Sequence, residues 1–137
     1  MLKLKLTDIK LKAVVFGAIV DNGGTLLFMT LLAAALMLTG LSVDEVMNRM
    51  KSTNGLLLGL IIGLGFTVLG GYIAGRRAGS AERKHGALVA IIGMVLALIF
   101  REGGIPALFD IAGFAGMLPA GLLGGHLAQK RRERAGT

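Results

Sequence analysis

The chain alternates between long apolar runs and short polar segments that are mostly basic. Its most regular apolar run, from Gly55 to Gly75, contains 21 residues without charge and is closed by Arg76 and Arg77. A helix of ~20 such residues, rising ~1.5 Å per residue, crosses the ~30 Å hydrocarbon layer of a bilayer. This run therefore predicts a membrane-spanning helix.

The remaining runs extend this interpretation to the whole chain. We expect one all-α domain over residues 1–137, with four transmembrane helices at about 13–38, 54–77, 84–100 and 106–129. Ser42 and Glu45 have the spacing of a capping box, which favours a short amphipathic helix at about 42–52 in the membrane interface. A plain loop is the alternative there. The basic segment 1–12 is expected to lie on the membrane surface.

Small residues recur at every fourth position in the second and fourth predicted helices. In lipid this spacing allows two helix backbones to approach closely. It predicts a helix-packing role for Gly55, Gly59, Gly63, Gly71, Gly75, Gly116 and Gly124.

The sequence also contains a weak internal repeat. The segment LGGYIAGRRA at 69–78 aligns without a gap with LGGHLAQKRR at 123–132, and GAIV at 17–20 resembles GALV at 86–89. We interpret this as two repeated helical hairpins related by an axis along the membrane normal. Chance similarity between glycine-rich segments is the alternative.

The basic residues predict the topology. Of the 15 Lys and Arg residues, 12 fall in the N-terminal arm, the turn after the second helix, and the C-terminal tail. The positive-inside rule then places both termini in the cytoplasm of a multi-pass protein of the cell membrane. Arg76, Arg77, Lys130 and Arg131 are expected at the lipid headgroups, with anionic lipids as partners. The charge does not indicate nucleic-acid binding, because it clusters at the ends of apolar runs.

Residue types for catalysis are scarce. The sequence has no cysteine and two histidines, and it shows no metal-ligand spacing or paired carboxylates. We therefore predict no enzymatic activity, no metal and no cofactor.

Asp21 is the principal candidate site residue. It lies nine residues after Lys12, which places it about 12–14 Å into the membrane, where an acid is costly and normally has a partner or a water path. Asn22 and Thr25 can supply hydrogen bonds, and we expect Tyr72, His126 or a backbone amide near a glycine of another helix to meet the carboxyl group. Three roles remain open: a structural link between helices, a proton or substrate site, and a contact to a partner protein.

The segments GGYIAGRRAG and GALV, together with V-D-x-G-G-T at Val20–Thr25, resemble small four-helix membrane proteins of unknown function in bacteria and archaea. A weaker similarity, one acid in the first of four short helices, is to small multidrug resistance exporters. That similarity implies that Asp21 exchanges protons for cationic drugs. The chain departs from those exporters in having aspartate instead of glutamate and few aromatic residues.

Two functions follow as expectations. The first is a non-catalytic membrane protein that acts by helix packing, as a homo-oligomer or as an accessory subunit of a larger membrane complex. The alternative is a small proton-coupled exporter that uses Asp21.

Overall fold

A computed structural model describes residues 9–101, 103 and 105–136. Within these residues the chain is helical and has no strand. Its five helices are α1 (Leu11–Leu38), α2 (Val43–Lys51), α3 (Thr53–Ala78), α4 (Glu82–Ile99) and α5 (Ala107–Ala135). Most of the expected surface segment at 1–12 lies outside the described residues.

Three of the helices, α1, α3 and α5, are long and apolar enough to cross a membrane. Helix α4 has 18 residues, and its first three, Glu82, Arg83 and Lys84, are charged. The protein is thus an all-helical chain with three helices that suit a bilayer, and the fourth crossing stays a prediction.

Helix α2 forms where the capping box predicts it. The Ser42 backbone N–H donates to Glu45 Oε2 at 2.8 Å, and the Glu45 N–H donates to Ser42 Oγ at 3.3 Å. The bonds from the Ser42 backbone and hydroxyl to the Glu45 carboxylate hold the pKa of Glu45 below its usual value. The side chain of Val46 in α2 is buried, and α2 packs against α3. The loop alternative is therefore wrong.

Helix α3 is central, because it packs against every other helix. It runs antiparallel to α1, with Gly70 against Gly17, and antiparallel to α4, with Gly75 against Glu82. It runs parallel to α5. We call the end of the bundle that holds Lys10, Arg77 and Arg132 the basic end, and the opposite end, beside α2, the far end.

Several of the predicted packing glycines lie at close helix contacts. A Cβ atom added at Gly71 would lie 2.6 Å from the carbonyl oxygen of Gly121, and one at Gly75 would lie 3.0 Å from Ala128 Cβ. A Cβ at Gly124 would collide with the backbone of α3, and one at Gly116 would lie 3.0 Å from the Leu64 side chain. These four glycines therefore lie where two helices approach closely, as the proposed packing role requires.

The predicted packing glycines at the far end of α3 have different surroundings. Gly55 abuts the backbone of α2, but an added Cβ at Gly59 would meet only the tip of Met29, at 3.5 Å. An added Cβ at Gly63 would meet no heavy atom of the described residues within 4 Å. The prediction that Gly63 packs closely within the chain is wrong, because Gly63 lies beside a cavity.

The repeated sequence segments have different neighbours. Gly70 and Gly124 are equivalent in the repeat, yet Gly70 lies against Gly17 of α1, whereas Gly124 lies against α3. The second glycines of the two pairs also differ, since Gly71 contacts α5 and Gly125 contacts α4. The duplication of a hairpin stays a prediction from sequence.

Apart from the contact between α2 and α3, the buried residues lie in the basic half of the bundle. In α1 the buried residues end at Asp21, and the segment Gly24–Leu38 has none. Buried residues begin at Thr67 in α3, end at Gly93 in α4 and begin at Ala120 in α5. One level across the bundle thus separates a dense basic half from a looser far half.

We expect Gly71→Ala and Gly63→Ala to have opposite effects. The added methyl at Gly71 overpacks the contact with α5 and should lower the free energy of unfolding by about 1–3 kcal/mol. The methyl at Gly63 enters open space and should leave stability unchanged or raise it, since alanine favours helix. Unfolding in mixed detergent micelles measures both, and equal losses would contradict the packing description.

Candidate intramembrane site

Asp21 lies in a π-helical turn, Ile19–Gly23, that interrupts α1. Such turns loosen the backbone hydrogen bonding, and in a membrane the freed groups need other partners. Two neighbouring side chains supply them. The Asn22 amide donates to the Ala18 carbonyl at 3.0 Å, and the Thr25 hydroxyl donates to the Asp21 carbonyl at 2.8 Å.

The Asp21 carboxyl group itself points into the bundle and is 3% exposed. The Thr67 hydroxyl of α3 donates to Asp21 Oδ1 at 2.9 Å, and the same hydroxyl lies 3.1 Å from the Gly63 carbonyl oxygen. A hydroxyl has one proton, so it serves one of these acceptors well at a time. When the carboxyl is neutral, it can donate to Thr67 while Thr67 donates to Gly63, which satisfies all three groups.

The second carboxyl oxygen, Asp21 Oδ2, is buried and has no hydrogen-bond partner among the described residues. It faces α4 at Gly93, where an added Cβ would lie 3.1 Å from Oδ2 and 3.0 Å from Met117 Cε of α5. Met117 and the carboxyl group thus both approach Gly93, and Met117 also lines a cavity.

This cavity has a volume of about 360 Å³ and extends between α3, α4 and α5 toward the far end. Gly59 and Gly63 of α3 are among its lining residues, and so are three phenylalanines: Phe100, Phe109 and Phe114. It shares Gly59 and Phe109 with a second cavity of about 460 Å³ beneath α2. Arg101 and Asp110, paired at 2.6 Å, lie at the far-end part of the first cavity.

Tyr72 and His126 do not meet Asp21, so that prediction is wrong. The Tyr72 hydroxyl accepts a hydrogen bond from Arg131 at 2.7 Å, and His126 Nδ1 lies 2.8 Å from an Arg83 nitrogen. Both rings are nearer to the basic end than Asp21. Asn22 and Thr25 adjoin Asp21 as expected, but their side chains bond to their own helix.

Thr67 is the partner that the analysis of the sequence missed, although the sequence contains a signal for it. It stands where the every-fourth-residue series of α3 otherwise has glycine. It also lies nine residues before Arg76, as Asp21 lies nine residues after Lys12, so both are about 13–14 Å from their basic residues. Counting depth from both helix ends pairs Asp21 with Thr67.

A second polar cluster ties the helices together at the basic end. His85, fully buried, accepts the Lys10 backbone N–H at Nε2 (2.9 Å), and its Nδ1 lies 3.0 Å from the Ala81 carbonyl. Buried Glu82 pairs with Arg132 at 3.0 Å, and Arg132 also donates to the Gly79 carbonyl. These contacts join α1, α5 and the α3–α4 turn. No motif or spacing in the sequence indicates these contacts.

The four expected headgroup residues all lie at the basic end with exposed side chains. Arg77 stacks on Phe16 of α1, with its guanidinium carbon 3.5 Å from the ring centroid. Lys130 and Arg131 lie beside a groove between α3 and α5.

No protein-family model, curated protein or solved structure matches the chain. The resemblance to small four-helix proteins therefore stays a prediction.

Replacing Thr67 by valine should destabilise the fold, because valine keeps the shape but removes the one side-chain partner found for Asp21. We expect a loss of about 1–3 kcal/mol in the free energy of unfolding. The matched control is Thr25→Val, which removes a hydroxyl that bonds only within α1 and should cost less than about 1 kcal/mol. Equal effects of the two variants in detergent unfolding would show that the Asp21–Thr67 bond does not link the helices.

Proposed function

We propose that the chain is a four-pass protein of the cytoplasmic membrane with both termini in the cytoplasm. The ion pairs at the two ends of α4 support a fourth crossing. Glu82 pairs with Arg132, and Arg101, just past α4, pairs with Asp110. Residues 110 and 132 of α5 lie about 33 Å apart along the helix, close to the ~30 Å hydrocarbon thickness. The excess of basic residues at one end supports the orientation.

Within this topology we propose that the protein is a small proton-coupled exporter of cations, without catalytic activity. The observation that carries this proposal is the buried Oδ2 of Asp21, which has no hydrogen-bond partner among the described residues and faces Gly93 together with Met117, a residue that lines a cavity extending to the far end. A carboxyl group in this position can hold either a proton or a cation. The dense basic half closes the bundle on the other side, as expected of a transporter that is open to one face.

Thr67 gives the exchange a physical basis. With a proton on Asp21, the hydroxyl of Thr67 is free to donate to the Gly63 carbonyl. When Asp21 loses that proton, Thr67 turns its hydroxyl to Oδ1, and the carboxylate charge favours entry of a cation from the cavity. A cation and a proton then compete for one carboxylate, which is the requirement for coupled exchange.

A second candidate is a packing role, as a homo-oligomer or as an accessory subunit of a membrane complex. The observation that favours it is the far half of α1, where Leu26 is 69% exposed, Leu31 60% and Leu38 90%. A second protein could cover this surface, and so could lipid. In this role the Asp21–Thr67 bond is a structural link.

The variant Asp21→Asn distinguishes the two functions. In cells that express the chain, we expect the wild type to lower accumulation of ethidium, a fluorescent organic cation, until a protonophore collapses the proton gradient. Asp21→Asn should lose at least about tenfold of this efflux, yet elute at the wild-type size in mild detergent.

The matched control is Asp44→Asn, which neutralises an acid on α2 outside the spans and should keep wild-type efflux. Loss of assembly in Asp21→Asn would favour the packing role. Unchanged efflux in Asp21→Asn, or no efflux by the wild type, would contradict cation export.

A further inference from the structure

A groove runs along the outside of the bundle between the basic-end halves of α3 and α5. Its volume is about 520 Å³. The α3 side is formed by one helix face from Gly65 to Tyr72, which covers about 10 Å of depth. The α5 side begins with Leu127 and continues with Lys130, Arg131 and Arg134. The groove is thus apolar toward the membrane centre and basic toward the cytoplasm.

Arg131 is held over the point where the two parts of the groove meet. Its guanidinium donates to the Tyr72 hydroxyl at 2.7 Å, although Arg131 lies further along the bundle than Tyr72. The side chain therefore turns back toward the membrane, in the direction in which Cα–Cβ bonds tilt on a helix. The guanidinium has five N–H donors, and the bond to Tyr72 uses one of them. The others remain available for an anion at headgroup depth.

We propose that this groove is a binding site for one anionic phospholipid. An acyl chain lies along the Gly65–Leu69 face, and the phosphate binds Arg131 with Lys130 and Arg134 beside it. Among the described residues that line the groove none is acidic, so its charge complements a phosphodiester. Basic pockets between helices on the cytoplasmic side bind such headgroups in membrane proteins.

A second basic surface offers a useful contrast. Lys10, Lys12 and Arg77 also surround a depression, of about 500 Å³, but its apolar lining is limited to Leu11 and Ala13. Arg77 there is stacked on Phe16. That surface suits general attraction to anionic membranes, whereas the α3–α5 groove has a wall for an acyl chain as well.

Native mass spectrometry of the purified full-length chain tests the site. We expect the wild type to retain phosphatidylglycerol at least about tenfold better than phosphatidylcholine with the same acyl chains. Arg131→Gln should reduce this preference roughly tenfold, because it removes charge-assisted hydrogen bonds. The matched control, Arg76→Gln, removes one exposed positive charge from the end of α3 and should have a smaller effect.

Equal losses in both variants, or equal retention of the two lipids by the wild type, would overturn the proposal. Glycerol phosphate, which lacks acyl chains, should not displace the lipid, and full displacement would mean a site for soluble anions instead. Tyr72→Phe provides a test that keeps every charge and is usable if Arg131→Gln does not fold. It should weaken retention about fivefold, and unchanged retention in folded Tyr72→Phe would also overturn the proposal.

Discussion

A carboxyl group inside the hydrocarbon layer has to find a partner or a proton, because no bulk water is there to solvate its charge. Asp21 meets this constraint through Thr67, and the helices around it are shaped to allow the contact. An added Cβ at Gly70 would lie 2.9 Å from Asp21 Cβ, and one at Gly93 would lie 3.1 Å from Oδ2. The absence of a side chain at Gly70 makes room for Asp21 Cβ, and its absence at Gly93 makes room for Oδ2. The position of Asp21 therefore depends on residues of α1, α3 and α4.

The dense and loose halves of the bundle follow from the size of the residues at each level. Toward the basic end, Gly17 meets Gly70 and Gly86 meets Gly121, so that backbones touch and the helices are drawn together. Toward the far end, the helices enclose a cavity that Phe109 and Phe114 help to line. The result is a bundle that is closed at its basic end and contains cavities at its far end, with Asp21 at the boundary.

Much of this architecture could be predicted from the sequence, because length and hydropathy determine where a helix suits a bilayer. The short helix α2 was also predictable, because its capping box involves only residues that are close in sequence. The neighbours of particular glycines were not, since spacing shows that a face is small but not which helix covers it. Gly63 and Gly71 belong to the same every-fourth-residue series, yet Gly63 lines a cavity and Gly71 contacts the backbone of α5.

The partner of Asp21 was predictable in principle and was missed. Tyr72 and His126 were expected as partners, but both lie nearer to the basic end than Thr67 and bond to Arg131 and Arg83 instead. The depth of Thr67, counted from Arg76, equals that of Asp21 counted from Lys12. The burial of Oδ2 without a partner among the described residues, and the cavity that Met117 lines, have no sequence signal, because both depend on how the helices meet.

The proposed export role requires that the cavity lined by Gly63 and Met117 is open to the outside of the cell and closed toward the cytoplasm. The natural sequence has no cysteine, so single cysteines can be introduced without background. Reaction with a membrane-impermeant thiol reagent should label Gly63→Cys from outside but should not label Ala74→Cys, in the dense half, from either side. An unreactive Gly63→Cys, or one that reacts only from the cytoplasmic side, would contradict the account.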